Sequence, residues 1–487
     1  MKQFLVKTVK RLPRASLLLL ALCMGAGLTS PVGALAESSQ SVPPLGASQS
    51  EKTLQNPQIL TKALNTPNVT PPTIKAECPS TIRCIVAPAA YAANDGNVAD
   101  YGNYDTTNRP HDGLKINSIV IHDGEGSCEA IVNAFKDPRH YASAQYVVCK
   151  DGTVYQMVRT QDLPWHAGNW YFNMHAIGIE HEGSAATGGT DYTNALYRSS
   201  AELVKYLTAR FSIPRDRAHI IGHDNVPAVK DSQVAGMHYD PGPFWNWQSY
   251  MALIGAPVLP TGGFNSGFVT VAPTWPLSKQ TVTGCAGTTC PSQPTNFVYL
   301  KTEPRSDAPL LTDTILGQGS TIISNNAARL FHGQTFAVAD KRLVSDGVWY
   351  KVWANGVTGW FYSPWKAPTA LPATGSSITP KAGKVSVPVY GRPSPEASAY
   401  PEQLLSQEPG SFWIPALAPE APLSYTVQAG QRYKVIDTVV PNDHFYAWAI
   451  DSSYPYDHTV WQGKTHFIEI QYGNRVAFVK ADDVVVK

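Results

Sequence analysis

Between residues 116 and 254 short apolar runs alternate with helical stretches, whereas beyond Asn296 the helical stretches cease and alternating apolar segments continue alone. That change of period constrains the fold more than any other feature of the chain. It predicts a mixed α/β domain, a central sheet flanked by helices, followed by two small all-β barrels. In the first region the candidate strands are residues 116–121, 145–148, 154–158, 176–180 and 220–222, each bounded by Gly, Asp or Asn. The clearest helix covers 193–210, where Leu196, Ser200, Leu203 and Leu207 recur at helical spacing on one face. In the later region Phe297-Val298-Tyr299-Leu300, Trp349-Tyr350-Lys351-Val352-Trp353 and the turn Ala354-Asn355-Gly356 read as barrel strands, and Tyr433-Lys434-Val435-Ile436 and Arg475-Val476-Ala477-Phe478-Val479 make a weak second copy.

A chain of 487 residues exceeds one compact core. The expected organisation is a signal peptide (1–36), a flexible segment rich in Ser, Pro, Gln and Asn (37–75), the α/β domain (76–256), a linker (257–294), a first barrel (295–366), a second linker (367–380) and a second barrel (381–487). The signal rests on Lys2, Lys7, Lys10, Arg11 and Arg14, an apolar stretch from Leu17 to Leu22, and Ala34-Leu35-Ala36 for cleavage. Pro13, Gly25, Gly27 and Pro31 keep that stretch shorter than the roughly 20 residues of a membrane span. The expectation is therefore a secreted protein, extracellular or wall-associated, with no membrane anchor in its mature form, and a monomer. Seven cysteines leave six once Cys23 goes with the signal, an even number suited to an oxidising compartment. Close pairing would join Cys78 with Cys84, Cys128 with Cys149 and Cys285 with Cys290; other connectivities, or a metal role, stay open at this level. A net charge of +1 with 15% charged residues provides no electrostatic footprint for nucleic acid.

A catalytic zinc needs three protein ligands and one open position. His122 follows the apolar run Ile119-Val120-Ile121, His223 follows Ile220-Ile221-Gly222, and Asp240 lies in His238-Tyr239-Asp240-Pro241-Gly242-Pro243. Together they offer a His, His, Asp set on rigid strand ends and a Pro/Gly turn. Glu180 ends Ile177-Gly178-Ile179-Glu180, pointing away from the two isoleucines. Among apolar neighbours its carboxyl has a raised pKa and suits a general base acting on water. His238, two residues before Asp240, can reach the same cavity and hydrogen-bond the oxyanion of a tetrahedral intermediate. Taken singly, each residue has an ordinary structural role available, since a lone histidine after a strand is more often structural than ligating.

Residues 78–247 resemble the zinc-dependent N-acetylmuramoyl-L-alanine amidases, the superfamily that includes the peptidoglycan recognition proteins. The segments that match in order are Ile119-Val120-Ile121-His122, Ala144-Gln145-Tyr146-Val147-Val148, Asp151-Gly152-Thr153-Val154-Tyr155-Gln156, Trp165-His166-Ala167-Gly168, Ile177-Gly178-Ile179-Glu180, Gly222-His223-Asp224 and Asp240-Pro241-Gly242-Pro243. The resemblance implies one zinc held by His122, His223 and Asp240, water activation by Glu180, transition-state stabilisation by His238, and a substrate groove near Trp165, His166 and Asn173. It implies peptidoglycan as substrate, cut between N-acetylmuramic acid and L-alanine. The chain departs from the compact pattern by an insertion between His223 and Asp240 that includes residues 230–236. The barrel segments more loosely resemble bacterial SH3-like modules, which commonly bind peptidoglycan. Two other classes share these residues: a non-catalytic peptidoglycan receptor, which would lose a metal ligand, and a zinc peptidase acting on the stem peptide.

Overall fold

In the computed structural model, which describes residues 75–187, 189–285, 288–401 and 421–487, the apolar runs of the first region become a six-stranded sheet. Its strands are β1 (Cys84–Val86), β2 (Ser118–Ile121), β3 (Tyr146–Val148), β4 (Val154–Gln156), β5 (Ala176–His181) and β6 (Ile220–Gly222). They lie in the order β1-β4-β3-β5-β2-β6. Only the β3/β4 pair is antiparallel; β3, β5, β2 and β6 run parallel to one another. Parallel strands covered on both faces read as continuous apolar runs, which is why Ile119, Val120 and Ile121 are all fully buried.

Four helices flank the sheet: α1 (Cys128–Phe135), α2 (Trp170–His175), α3 (Asn194–Phe211) and α4 (Trp247–Ile254). The predicted 193–210 helix is α3. Thr193 caps it by accepting from the Leu196 amide, and Leu196, Ser200, Leu203 and Leu207 are all buried. Ile119, Ile121, Ile177 and Ile179 pack on one face with α3, α4, Trp245 and Trp247. The opposite face, through Val120 and Ile221, packs with Tyr171 and Phe172 of α2 and with Tyr390, Phe467, Val476 and Phe478 from the end of the chain. A segment expected to be a separate barrel thus supplies one layer of the α/β domain.

The C-terminal half is strand-rich, and strands fall inside both segments expected as linkers. Phe268–Val271, inside the expected 257–294 linker, and Ala370–Ala373, inside 367–380, pair antiparallel with each other. With Thr335–Val344, Gly347–Ala354 and Val357–Pro364 they form a five-stranded sheet. Ser377–Pro380, at the end of the second expected linker, joins Tyr433–Val440, Phe467–Tyr472, Arg475–Lys480 and Val484–Val486 in another five-stranded sheet. Their Gly, Thr and Pro surroundings hid these four-residue strands from a periodicity reading, although Phe268, Val269, Thr270 and Val271 are all buried. Disulfides join Cys78 to Cys84, Cys128 to Cys149 and Cys285 to Cys290, the close pairing among the open alternatives. The expected signal segment lies outside the described residues. Among those described, no helix is long and apolar enough to cross a membrane.

Glu469, on Phe467–Tyr472, is buried, and burial pushes its carboxyl up to about 8, with His219 opposing and Asp437 and Asp216 adding to the rise. Its ordinary value is 4.5. Between those two values the folded chain keeps a proton that the unfolded chain releases, so this group lowers stability as pH rises, by up to about 1.4 kcal/mol per pH unit. Glu469→Gln is expected to raise the thermal unfolding midpoint at pH 8 and to leave it almost unchanged at pH 5. Equal midpoints for variant and parent at pH 8 would contradict this.

Candidate active site

The register of the three central parallel strands builds the site. Ile179 of β5 pairs with Ile121 of β2, and Ile121 with Gly222 of β6. The residues that follow, Glu180, His122 and His223, therefore stand side by side at the C-terminal ends of adjacent strands. This is the edge of an open α/β sheet where ligands bind. Asp240 enters from the loop beyond β6, tied to it by the Asp224 amide, which donates to the Asp240 carbonyl at 2.8 Å.

The side chains converge. His122 Nδ1 lies 3.1 Å from His223 Nδ1 and 3.4 Å from Asp240 Oδ2, and His223 Nδ1 lies 3.2 Å from Asp240 Oδ1. A tetrahedral zinc with bonds of about 2.0–2.1 Å spaces neighbouring donors about 3.3 Å apart, so these three groups fit such an ion. Their donor types, two imidazoles and a carboxylate, match it as well. Burial pushes the His223 imidazole down to about 4, keeping it neutral as a ligand must be. Burial would raise the Asp240 carboxyl, but the adjacent His223 and hydrogen bonds from His122, His223 and His238 hold it well below the usual carboxylate range.

Glu180 Oε1 stands 4.0 Å from His122 Nδ1, and its other oxygen is buried with no hydrogen-bond partner among the described residues. Burial pushes this carboxyl up to about 7 against the opposing pull of His122. His238 Nδ1 lies 3.2 Å from Asp240 Oδ1, and the ring stacks on His223 with centroids 4.4 Å apart. Burial lowers the His238 pKa, but the Asp240 hydrogen bond and the charges of Asp240, Glu180 and Glu125 outweigh it, so the net shift is upward. At 37% exposure its side chain is open to solvent, unlike the three buried ligand candidates.

The three residues expected near the substrate groove, Trp165, His166 and Asn173, are all buried. Trp165 is fully buried, and its indole N–H donates to Asp105 Oδ2 at 2.8 Å, so it presents no face to a ligand. Asn173 is buried too; its Oδ1 accepts from the amides of His166 at 3.0 Å and Ala167 at 2.8 Å and so clamps their loop. His166 stands behind the metal site, its Nδ1 3.0 Å from His122 Nε2. With a metal on His122 Nδ1 the proton would sit on Nε2, and this contact with His166 would fix the ring. Gly178 makes room, since a Cβ there would lie 2.7 Å from His166 Cγ.

Sequence reasoning missed several supports. The Asp123 amide donates to Asp240 Oδ2 at 3.3 Å, and Tyr192 Oη donates to Asp123 Oδ2 at 2.7 Å. Asn225 Oδ1 accepts from the Gly222 amide at 3.0 Å. Asp123 and Asn225 had only their nearness in sequence to His122 and His223 as a signal, and Tyr192 had none.

The sheet thus gathers at its strand ends a buried His122, His223 and Asp240 group whose donor atoms could hold a metal ion. A family model described as N-acetylmuramoyl-L-alanine amidase matches residues 112–243. N-acetylmuramoyl-L-alanine amidase A of Achromobacter lyticus is 34% identical over 169 residues, 32% of this chain and 91% of that protein. The 1,6-anhydro-N-acetylmuramyl-L-alanine amidase AmpD of Enterobacter cloacae is 31% identical over 127 residues, 25% of this chain and 62% of its own length. The solved structure of an AmpD derivative aligns with 99% of its length to 37% of this chain at 23% identity, with a TM-score of 0.26. The chain belongs to the N-acetylmuramoyl-L-alanine amidase family, and its activity is that of a peptidoglycan amidase. The Achromobacter protein, nine-tenths accounted for by the match, has no length left for a counterpart of the two C-terminal sheets.

Proposed function

We propose that this chain is an exported zinc enzyme that hydrolyses the amide between the lactyl group of N-acetylmuramic acid and the L-alanine of the stem peptide. The observation that carries this reading is the row Glu180, His122, His223 with Asp240 closing it, a carboxylate oxygen with no partner among the described residues beside two imidazoles and a second carboxylate. Zinc at His122, His223 and Asp240 would polarise the scissile carbonyl and lower the pKa of water. Glu180 takes the proton from the attacking water and returns it to the leaving alanine amine. His238, whose raised pKa favours the form that donates from both nitrogens, holds Asp240 through Nδ1 and meets the developing oxyanion through Nε2. His166 and Asn173 act at one remove, holding His122 rather than substrate.

Three disulfides accord with export to an oxidising compartment. The strand-rich C-terminal half is read as two SH3-like modules, and the enzyme as a monomer acting on the wall with no nucleic-acid or membrane partner. Digesting purified peptidoglycan with and without a zinc chelator tests the function: new N-terminal alanine that disappears with chelator supports it. Other new termini would indicate a zinc peptidase, and none a receptor. Removing an oxyanion donor costs about 10²–10³ in turnover. His238→Ala is therefore expected to keep its zinc and lose about two powers of ten in kcat; full activity would remove His238 from the mechanism.

A further inference from the structure

The segment that presents His223 is held from outside the amidase domain, by a turn near the end of the chain. Strands Phe467–Tyr472 and Arg475–Lys480 pair through Tyr472 and Arg475, leaving Gly473 and Asn474 as a two-residue turn. Gly473 has φ +71°, a conformation that costs glycine little, and Asn474 is 4% exposed. Asn474 Nδ2 donates to the Asp224 carbonyl at 2.9 Å, and the Asn474 carbonyl accepts from Asn225 Nδ2 at 2.9 Å. Asn225 in turn holds the Gly222 amide through Oδ1, which also accepts from Arg217 Nη2 at 3.0 Å. Gly222 and Asp224 are the two chain neighbours of His223, and the Asp224 amide also reaches the Asp240 carbonyl.

Other contacts converge on the same turn. Gln334 Nε2, from the first C-terminal sheet, donates to the Asn474 carbonyl at 2.7 Å. The insertion between His223 and Asp240 forms a short helix, Asp231–Val234, whose Val234 is buried in the second sheet's core. Arg475 Nη1 donates to the Val234 carbonyl at 3.2 Å, and Asp231 Oδ1 accepts from the Ser424 amide at 2.9 Å. The feature that separates this chain from the compact family pattern is therefore the surface that receives the C-terminal sheet.

We propose that Asn474 is a positioning residue of the active site, and that the C-terminal sheet sets the geometry and metal affinity of His223 through the paired amide contacts of Asn474 with Asp224 and Asn225. This rests on the metal reading given above. A ligand-bearing turn with all its hydrogen bonds made keeps its imidazole aimed before the ion arrives, and partners one shell out typically change metal affinity by about 10–100-fold.

The test uses the full chain with Asn474→Ala, and Asp443→Asn as a control at the same interface but away from the ligands. There Asp443 Oδ1 lies 2.7 Å from His175 Nε2. Zinc affinity is read by chelator competition, site geometry by the ligand-field spectrum of the cobalt(II) form, and folding by circular dichroism. The expected result is that Asn474→Ala stays folded, binds zinc about 10–100-fold more weakly, shifts the cobalt spectrum and loses kcat with KM little changed, while Asp443→Asn keeps parental zinc affinity. Parental affinity and spectrum in Asn474→Ala would overturn the inference alone. So would equal weakening in Asp443→Asn, since general loosening would then explain both. Should Asn474→Ala fail to fold, Asn225→Asp, which keeps the Gly222 contact and removes the donor to Asn474, is expected to show the same weakening, and parental affinity there overturns the proposal. A parental protein that takes up no zinc would overturn the metal reading and this inference together.

Discussion

Glu180→Gln is expected to give a folded protein that binds one zinc per chain and hydrolyses peptidoglycan about 10²–10⁴ times more slowly than the parent. The amide has nearly the shape of the carboxyl but takes no proton from water. Its buried Oε2 has no partner among the described residues, so the change breaks no structural hydrogen bond there. The protein environment alone holds the carboxyl at about 7, and a divalent cation bound beside it would draw it lower, towards the ionised form that a base needs at neutral pH. Peptidoglycan digestion followed by counting new N-terminal alanine, with zinc content measured on the same sample, separates lost proton transfer from lost metal. Activity within threefold of the parent would strike Glu180 from its role.

Asp240→Ala is expected to act one step earlier, abolishing both zinc uptake and activity. This carboxylate is the anion of the set, 3.2–3.4 Å from three imidazoles. Without it the site keeps two imidazoles and no carboxylate among its candidate ligands. Lewis-acid stabilisation is worth several kcal/mol, so turnover should fall by about a thousandfold or more. Stoichiometric zinc in a folded Asp240→Ala protein, found by elemental analysis after dialysis, would mean that the ion sits elsewhere.

The site was legible in sequence to unequal degrees. His122, His223 and Glu180 each end an apolar run, and parallel strands in register bring such ends to one level, so position along the strand foretold proximity. Asp240 follows an insertion with no periodicity, and it was marked out by its Pro/Gly turn and by the likeness of Asp240-Pro241-Gly242-Pro243 to an amidase motif. For Trp165 and Asn173 a motif near a groove does not say which side chains face it; an indole and an amide with inward partners are buried here. The strands Phe268–Val271, Ala370–Ala373 and Ser377–Pro380 were too short to show alternation amid Gly, Thr and Pro. Nothing in the sequence could pair Asn225 with Asn474, because contacts across some 250 positions leave no periodic trace.

The apolar cluster that joins Val120 and Ile221 of the catalytic sheet to Phe467, Val476 and Phe478 bears on how such a chain can be re-engineered or diversified. Recombination that exchanges tail modules among wall hydrolases relies on junctions at which each part keeps its own interior. Here a cut before residue 381 would strip the cover from β2 and β6 and leave an oily face beside the histidines. Grafting a foreign tail onto this catalytic half therefore requires redesigning that face.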